Sequence, residues 1–244
     1  MEKQPNIYDP DYVKGVFDRC SGKYIAFSYF CSFGFTEWWR KQAIACAPAA
    51  MTREPVVYDL MAGTGEVWPH VLKRYPETLS IKAIDISSGM HRRAVARLNR
   101  HRENKIEFIE DDVLSTNLRP NECDFLVSTF GLKTFDHSQH EKLADLVERV
   151  LKPGGVFSFI EASDPKGWVL RPFYMFHLRH LLPLVERLFM RGAQDFAMIG
   201  TYSSNFGNAA QFARCLQNRG LEVEYKTYFF GCATGVVGRK PNSI

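Results

Sequence analysis

The chain lacks several features that mark whole classes of protein. Its six cysteines form no C-x-x-C pair and no regular framework, so we expect reduced thiols in a cytoplasmic protein. No apolar run approaches the roughly 20 residues that a membrane-spanning helix needs. The segment MEKQPNIYDP at the start has no apolar core typical of a signal peptide. These absences favour a globular cytoplasmic protein.

A strong charge of one sign is also missing. The 31 basic and 27 acidic residues leave a net charge of +4, which is too small to indicate nucleic-acid binding by itself. The most basic stretch, 91–105, carries Ala94, Val95 and Leu98 at helical spacing. Its arginines are therefore predicted to form the solvated face of an amphipathic helix, and we predict no nucleic-acid partner.

After residue 55 the chain alternates between strand patterns and helix patterns. The predicted strands are Val56–Leu60, Ile81–Asp85, Lys105–Glu110, Asp124–Thr129 and Val156–Glu161. Helical patterns between them cover Val67–Arg74, Ser88–Arg100 and Gln139–Leu151. Such alternation predicts an α/β protein with a mostly parallel sheet and helices on both faces.

The two ends of the chain depart from this alternation. Residues 1–50 are aromatic with helical patterns, and Arg171–Arg191 is a basic, aromatic helical stretch interrupted at Pro183. A helix over Ala209–Arg219 precedes two β-rich runs, Glu222–Phe230 and Ala233–Arg239, which we expect to pair as an antiparallel hairpin at the sheet edge. We predict one domain over 1–244, with a helical cap at 1–50 and a helical substrate lid at 165–205.

The basic stretch within the predicted lid has other interpretations. An amphipathic core helix explains its pattern equally well. Its cations could also rest on an anionic membrane surface, which would make the protein peripheral at a membrane.

A bare glycine turn follows the first predicted strand, in VVYDLMAGTGEVWPHVL (56–72). Gly63 and Gly65 flank Thr64, and without Cβ atoms they let backbone N–H groups approach a ligand closely. In open α/β sheets, ligands bind beyond the carboxyl ends of the strands. Glu66 is an acid where a phosphate would arrive, which favours a ligand with an amino group and a cationic centre. S-adenosylmethionine (SAM) is such a ligand.

Carboxylates also stand at the ends of the first three predicted strands. Asp85 lies 20 residues after Gly65, the offset at which a carboxylate takes ribose hydroxyls in nucleotide-binding βαβ units. Asp112 follows the third strand and could accept from an adenine amino group. Asp59, at the end of the first strand, could equally serve only to brace the turn. Helix capping or an exposed turn is the alternative for all three.

Four segments together resemble motifs I, post-I, II and III of class I SAM-dependent methyltransferases. They are YDLMAGTGEV (58–67), AIDISSGM (83–90), IEDDV (109–113) and VLKPGG (150–155). More narrowly, the chain resembles the UbiE-type C-methyltransferases of ubiquinone and menaquinone biosynthesis over nearly its whole length. Segments 17–40, 128–135 and 229–241 are similar to that family's N-terminal signature, F-G-L-R-N segment and closing hairpin. The resemblance implies a Rossmann-like, seven-stranded, mostly parallel sheet with a C-terminal antiparallel hairpin.

The resemblance also implies the residues of a SAM site. Thr64 would lie in the glycine turn with Gly63 and Gly65, and Asp85 would take the ribose hydroxyls. Asp112, the backbone of Val113, and Met90 would surround the adenine, while Thr129 would line the methionine end.

The departures from the family lie on the substrate side. Ile25, Ser28 and Thr36 stand where the family usually has Asp, Asn and His, and the downstream Y-L-x-x-S motif is not recognisable around 198–203. Lys133 and Thr134 replace the Arg and Asn of G-L-R-N. The sequence therefore supports methyl donation more strongly than it supports a quinone acceptor.

The predicted reaction is methyl transfer from SAM to a ring carbon of a small, aromatic, apolar acceptor, a quinol or related phenol. Lys133 is the first candidate to stabilise a phenolate, and His137, Tyr24 and His177 are candidate bases. Solvated or packing roles explain these four residues equally well. The alternatives are O-, N- or C-methylation of a soluble specialised metabolite, and SAM binding without transfer.

Metal binding is not predicted. The pairs His137/His140 and His177/His180 have i, i+3 spacing on helical patterns, but no third ligand accompanies either pair at a convincing spacing. The sequence indicates no particular oligomeric state.

Overall fold

Seven strands form one sheet that is flanked by helices. The computed structural model describes residues 6–48, 54–75, 80–98, 105–181, 184, 187 and 197–242. Strands β1 to β7 span Val56–Leu60, Ser80–Asp85, Lys105–Glu110, Cys123–Thr129, Leu151–Ala162, Glu222–Tyr228 and Ala233–Arg239. Helices α1 to α9 span Pro10–Cys20, Tyr24–Cys31, Phe35–Ala45, Trp68–Arg74, Ser88–Leu98, His137–Val150, Arg171–Phe176, Ala197–Phe206 and Ala210–Gln217. A π-helical turn, His177–Leu181, continues α7, and 3-10 turns cover Leu132–Thr134 and Phe229–Gly231.

The order of the strands confirms the predicted α/β fold. The sheet runs β3-β2-β1-β4-β5-β7-β6. Strands β1 to β5 pair in parallel, whereas β7 pairs antiparallel with both β5 and β6. The closing hairpin therefore has its second strand inside the sheet and its first strand at the edge. Strand order reverses between β1 and β4, which is where open α/β sheets bind their ligands.

Burial on both faces explains why the central strands are almost continuously apolar. Successive side chains of a strand point to opposite faces. Tyr58 and Leu126 belong to a core cluster shared with α6 and α9, while Val57 and Phe125 belong to a second cluster shared with α3 and α4. Side chains of all four are fully buried. Helices on both faces thus hold the strand ends in fixed positions.

The segment before α1 is held by one contact from α8, which follows β5, and by another from α6. The hydroxyl of Tyr202 donates to the carbonyl of Ile7 at 2.6 Å, and Gln139 Nε2 donates to the carbonyl of Tyr8 at 2.9 Å. Of the predicted cap, residues 1–5 and 49–50 lie outside the described part of the chain; so do 182–183, 185–186 and 188–196 of the predicted lid. Among the described helices, none is both long and apolar enough to cross a membrane.

A fully buried tryptophan fixes the glycine turn between β1 and α4. Gly65 has φ +73°, and a Cβ there would lie 2.6 Å from the Trp68 ring. The indole Nε1 of Trp68 donates to Asp59 Oδ2 at 2.9 Å. Only a glycine leaves room for this ring, so the turn and the core beneath it depend on each other.

We expect Gly65→Ala to lower the free energy of unfolding by about 2–4 kcal/mol, because the new methyl group meets both left-handed backbone strain and the Trp68 ring. Gly220→Ala is the matched control, since φ there is +76° and nothing lies within 4 Å of its Cβ position. Strain alone should cost about 1–2 kcal/mol at that site. Urea unfolding of both variants measures the difference, and equal losses would contradict the role of the ring.

Candidate active site

A crevice opens at the carboxyl ends of the strands, beside the point where strand order reverses. Its floor comes from the turns after β1, β2, β3 and β4, and its cover from the N-terminal segment and α1. Of the residues predicted to bind a cofactor, six line it: Gly63, Asp85, Met90, Asp112, Val113 and Thr129. The candidate base Tyr24 lines it as well.

Asp85 joins the turns that follow β1 and β2. Its Oδ2 accepts from the backbone N–H of Gly63 at 2.7 Å, and its Oδ1 accepts from that of Ser87 at 2.9 Å. Desolvation nevertheless raises the pKa of Asp85 to about 6, although these two hydrogen bonds lower it. Each carboxylate oxygen has room for a second donor. The carboxylate is thus positioned to accept from ligand hydroxyls.

Asp112 and two apolar side chains form another part of the crevice. Asp112 is half-buried, and its Oδ1 accepts from the backbone N–H of Leu114 at 3.0 Å. The turn alternative therefore describes one of its oxygens, since no helix begins in this described stretch of the chain. Val113 and Met90 are buried beside it. Together they offer an acceptor next to an apolar surface, an arrangement that suits the edge and face of a purine.

Three residues predicted for the cofactor site, Asp59, Thr64 and Gly65, do not line the crevice and instead make contacts within the protein that hold the turn. Asp59 is buried against Trp68, and desolvation raises the pKa of its carboxyl well above the usual range. Thr64 is fully buried; its hydroxyl donates to Glu66, and its carbonyl accepts from Arg97 Nε at 2.8 Å. Direct contact of a ligand with the side chains of Asp59 and Thr64 is thus disfavoured. Gly65 leaves the space that the Trp68 ring occupies.

A second, larger cavity adjoins the crevice. Its volume is about 610 Å³, within the range of small-molecule sites. Aromatic rings dominate its walls, among them Phe33, Phe35, Trp39, Phe130, Trp168, Tyr174 and Phe229. Tyr24, Arg40 and Phe130 line both spaces and so form a common wall. A bound aromatic molecule would lie next to a ligand in the crevice.

Lys133 is buried in the wall of this aromatic cavity. Its ammonium donates to Glu161 Oε1 at 2.8 Å and to the carbonyl of Phe130 at 2.7 Å. Glu161 is fully buried and also accepts from the backbone N–H groups of Lys133 and Ala162. These contacts exclude the alternative of a solvated lysine. They leave one ammonium N–H of Lys133 for an oxygen in the cavity.

The three candidate bases have different surroundings. Desolvation raises the pKa of Tyr24, so its phenolate is disfavoured and the residue suits hydrogen-bond donation better than proton abstraction. His177 lines the aromatic cavity and stacks on Phe33, with ring centroids 5.1 Å apart. His137 is placed apart from the other two candidate bases. As the first residue of α6 it is exposed, lines neither space, and pairs through Nδ1 with Gln211 on α9.

His137 does belong to a cluster with Glu141 and Cys215, whose potential ligand atoms lie within 4.8 Å of one another. Arg219 donates to Glu141 and also to Asp145. Because this guanidinium already neutralises the carboxylates, the cluster is a poor site for a cation.

Four residues in or near the two spaces are absent from the predicted site: Phe130, Arg40, Glu66 and Glu161. The sequence marks Glu66 only as the acid that follows the glycine turn. Phe130 has φ +68°, a left-handed conformation that is uncommon outside glycine and clusters at functional sites. Arg40 and Glu66 lie 3.8 Å apart, although 26 residues separate them in the chain. Glu161 is the last residue of the predicted strand Val156–Glu161 and belongs to none of the motifs recognised in the sequence. Phe130 could have been suspected from its place after Thr129, at the end of β4.

The residues of the crevice suit an adenosyl sulfonium. Carboxylates at the tips of two adjacent strands offer acceptors for ribose and adenine, and apolar Met90 and Val113 line the same space. The acid Glu66 follows the glycine turn and also lines it. A phosphate would meet carboxylates at these places, whereas a cationic centre would be favoured.

Comparison with known proteins agrees with this chemistry. The model of the ubiE/COQ5 methyltransferase family matches residues 6–240. A demethylmenaquinone methyltransferase of Bacillus cereus is 24% identical over 244 residues, covering 100% of this chain and 99% of its own length.

Solved structures show the same fold. A SAM-dependent methyltransferase from Aquifex aeolicus has a TM-score of 0.51 at 17% identity, covering 75% of this chain and 81% of that one. A phosphoethanolamine N-methyltransferase from Haemonchus contortus, crystallised with phosphomonomethylethanolamine and S-adenosylhomocysteine, has a TM-score of 0.61 at 14% identity. That match covers 84% of this chain and 53% of the worm enzyme, so this chain spans about half of its length. With a family model matched over nearly its full length, the chain belongs to the ubiE/COQ5 methyltransferase family and is a SAM-dependent methyltransferase.

Proposed function

We propose that the enzyme methylates a ring carbon of a quinol or related phenolic acceptor bound in the aromatic cavity. The observation that carries this proposal is the buried ammonium of Lys133 in a wall of aromatic side chains, next to the cofactor crevice. The name of the Bacillus cereus relative, a demethylmenaquinone methyltransferase, supports a quinone-type acceptor. So does the size of the cavity, which exceeds that of one aromatic ring.

When bound, SAM supplies a sulfonium-activated methyl group. The protein's own contribution is to hold the acceptor carbon in line with it and to exclude water, which is worth up to roughly 7–11 kcal/mol in favourable cases. In our proposal Phe130 and Tyr24 orient the acceptor ring at the common wall. The aromatic lining of the cavity keeps water away from the reacting atoms.

Attack by carbon needs electron density from a neighbouring oxygen, and Lys133 is proposed to supply the stabilising charge. The remaining N–H of its ammonium would donate to the acceptor oxygen and favour the phenolate. Glu161 and the carbonyl of Phe130 hold the ammonium in place. His177, at the cavity wall, is the proposed base that removes the hydroxyl proton, a contribution of typically about 10²–10⁴-fold. Transfer would leave S-adenosylhomocysteine, and the methylated ring carbon would then release its own proton, which restores the aromatic ring.

For the cofactor we propose the roles that the crevice supports. Asp85 accepts from the ribose hydroxyls, Asp112 and the backbone of Val113 hold the adenine, and Met90 packs on its face. Thr129 lines the methionine end.

The substitution Asp85→Ala is expected to weaken binding of S-adenosylhomocysteine at least tenfold, because two charge-assisted hydrogen bonds to the ribose are lost. Isothermal titration calorimetry measures the affinity. Asp59→Asn is the comparison, since Asp59 lies behind the turn and touches no ligand in our proposal. Unchanged affinity for the Asp85 variant would remove this residue from the site.

The raised pKa of Asp85 predicts a pH dependence of the same affinity. Ribose hydroxyls favour the ionised carboxylate, so affinity should fall by about tenfold between pH 7 and pH 5, as Asp85 protonates below about 6. The free energy of unfolding of the ligand-free protein depends on pH in the opposite direction. The folded state binds the proton more tightly, so Asp85 costs stability as pH rises from 3.8 to about 6. An Asp85→Asn variant that keeps the pH dependence of affinity would contradict the assignment.

Lys133 can be tested separately from the buried carboxylate that it neutralises. Lys133→Met should lower turnover at least tenfold, and it should also destabilise the protein by about 3–5 kcal/mol, because Glu161 is left buried and unpaired. The double variant Lys133→Met/Glu161→Gln should regain most of that stability without regaining turnover. Affinity for S-adenosylhomocysteine should stay nearly constant in both. Recovery of turnover in the double variant would show that Lys133 is only structural.

Methylation of a heteroatom on a soluble metabolite is the second candidate. Three of the residues that depart from the family line the aromatic cavity: Ser28, Thr36 and Lys133. An altered lining favours an altered acceptor. Incubation with labelled SAM and a panel of quinols, phenols and amines separates the candidates. Label on a ring carbon supports the first, label on oxygen or nitrogen supports the second, and tight cofactor binding without turnover contradicts both.

We also propose peripheral contact with a membrane, where an apolar quinol would be found. Apolar side chains near the mouth of the aromatic cavity are exposed: Phe33 by 75%, Phe173 by 74% and Val169 by 86%. Phe33→Ser/Phe173→Ser should reduce cosedimentation with anionic phospholipid vesicles several-fold. Tyr225→Ser, which changes an exposed aromatic residue on the edge strand β6, is the control and should have no effect. Equal binding of all three proteins would contradict the contact.

A further inference from the structure

We propose that Arg40 and Glu66 hold the amino acid end of SAM, with Arg40 on the carboxylate and Glu66 on the ammonium group. The inference rests on the cofactor site proposed above, and it is independent of the acceptor's identity. It adds helix α3, which lies outside the nucleotide-binding motifs, to the cofactor site.

Arg40 is a buried guanidinium whose donors are not satisfied. Its side chain is 4% exposed, and its Nε has no hydrogen-bond partner among the described residues. The two carboxylates nearest to it are beyond hydrogen-bond distance: Nη1 lies 3.9 Å from Glu37 Oε2, and Nη2 lies 3.8 Å from Glu66 Oε2. Burying such a group without partners is costly, which points to a ligand that supplies acceptors.

Glu66 offers the complementary charge, with one of its oxygens, Oε1, already accepting from the hydroxyl of Thr64. Its side chain is only 12% exposed, and burial raises the pKa of its carboxyl although Arg40 and Arg97 lie nearby. Arg97 Nη2 is 3.9 Å from Oε1, so it too is beyond hydrogen-bond distance. The other oxygen, Oε2, lies 3.9 Å from the Cβ position of Gly63, at the start of the crevice. An ammonium group placed there would stabilise the buried carboxylate.

The two side chains form a loose pair of opposite charges at the glycine turn, and both line the crevice. An α-amino acid carries its ammonium and carboxylate groups on one carbon atom, so it can bridge such a pair. A guanidinium binds a carboxylate through two parallel hydrogen bonds, which is among the strongest polar contacts in proteins.

An acceptor oxygen is the rival ligand of Arg40, because Arg40 also lines the aromatic cavity. Glu66 argues against it. A carboxylate 3.8 Å from the guanidinium would repel a phenolate oxygen, whereas it attracts the ammonium group of a zwitterion.

This arrangement couples the cofactor to the acceptor cavity. Helix α3 carries Arg40 and also Trp39, which lines the aromatic cavity. A cofactor fastened to Arg40 therefore holds one wall of that cavity in place. Amide hydrogen exchange in 35–45 should slow when S-adenosylhomocysteine binds, and it should slow much less with 5′-methylthioadenosine, which lacks the amino acid end.

Calorimetry with these two ligands tests the proposal. Arg40→Gln and Glu66→Gln should each weaken binding of S-adenosylhomocysteine at least tenfold, while binding of 5′-methylthioadenosine changes less than about twofold. Arg40→Lys keeps the positive charge but lacks the paired N–H groups of a guanidinium, so it should give an intermediate loss of affinity. Decarboxylated SAM separates the two residues: its affinity should depend on Glu66 but not on Arg40. Asp85→Ala is the matched control and should weaken both nucleosides equally, because both carry the ribose.

Three results would overturn the proposal. Equal losses for both ligands in the Arg40 variants would mean that Arg40 acts on the fold of the crevice. Unchanged S-adenosylhomocysteine affinity together with a raised KM for the acceptor would assign Arg40 to the acceptor. Absence of binding of either ligand to the wild-type enzyme would instead remove the cofactor site itself. Thermal unfolding and circular dichroism confirm that each variant is folded.

Discussion

One hydrogen bond, from the backbone N–H of Gly63 to Asp85 Oδ2, ties the tip of β1 to the tip of β2, and the crevice depends on it. The contact is possible because parallel pairing brings the carboxyl ends of adjacent strands side by side, with Leu60 opposite Ile84. The ring of Trp68 packs against the same turn, and only glycine at position 65 leaves space for that ring. The turn is therefore fixed on both sides in the ligand-free protein. The carboxylate of Asp85 lines the crevice with lone pairs to spare, and its burial there raises its pKa.

Two buried ion pairs border the space where the reactants would meet, and they differ in a useful way. Lys133 and Glu161 are in direct contact at 2.8 Å, with further hydrogen bonds to the backbone that satisfy the carboxylate. Arg40 and Glu66 stay 3.8 Å apart. The attraction between two buried charges offsets their loss of hydration only where geometry and hydrogen bonding are good. The Lys133–Glu161 pair meets this condition by itself. The Arg40–Glu66 pair would be stabilised by a ligand that binds between its members. The tight pair presents one fixed charge to the acceptor side, and the loose pair remains open on the cofactor side.

Sequence reasoning succeeded where the relevant contacts are short in the chain or follow strand geometry. The run of apolar residues at 56–60, the glycines after it and the spacing to Asp85 predicted the first strand, the turn and the place of Asp85 at the tip of the second strand. The structure adds that Gly63 and Asp85 meet there. Sequence reasoning gave no indication of where His137 lies, because the start of α6 directs this side chain toward α9 and away from both spaces. It also missed Glu161 and the pairing of Arg40 with Glu66, since these depend on how helices pack across the sheet. A buried charge has the same appearance in a sequence as a solvated one.

Lys133 stands where the family that the sequence resembles usually has arginine, and an ammonium group has fewer N–H donors than a guanidinium. An arginine at this position would offer a planar fork of N–H groups, enough to hold Glu161 and two ligand oxygens together. The ammonium of Lys133 has three N–H groups, of which two are taken by Glu161 and by the carbonyl of Phe130. One remains for the cavity, so Lys133 itself can donate to a single oxygen of the acceptor proposed above. Any second oxygen must be met elsewhere in the cavity, and Ser203, whose hydroxyl is buried without a partner among the described residues, lies along the same lining.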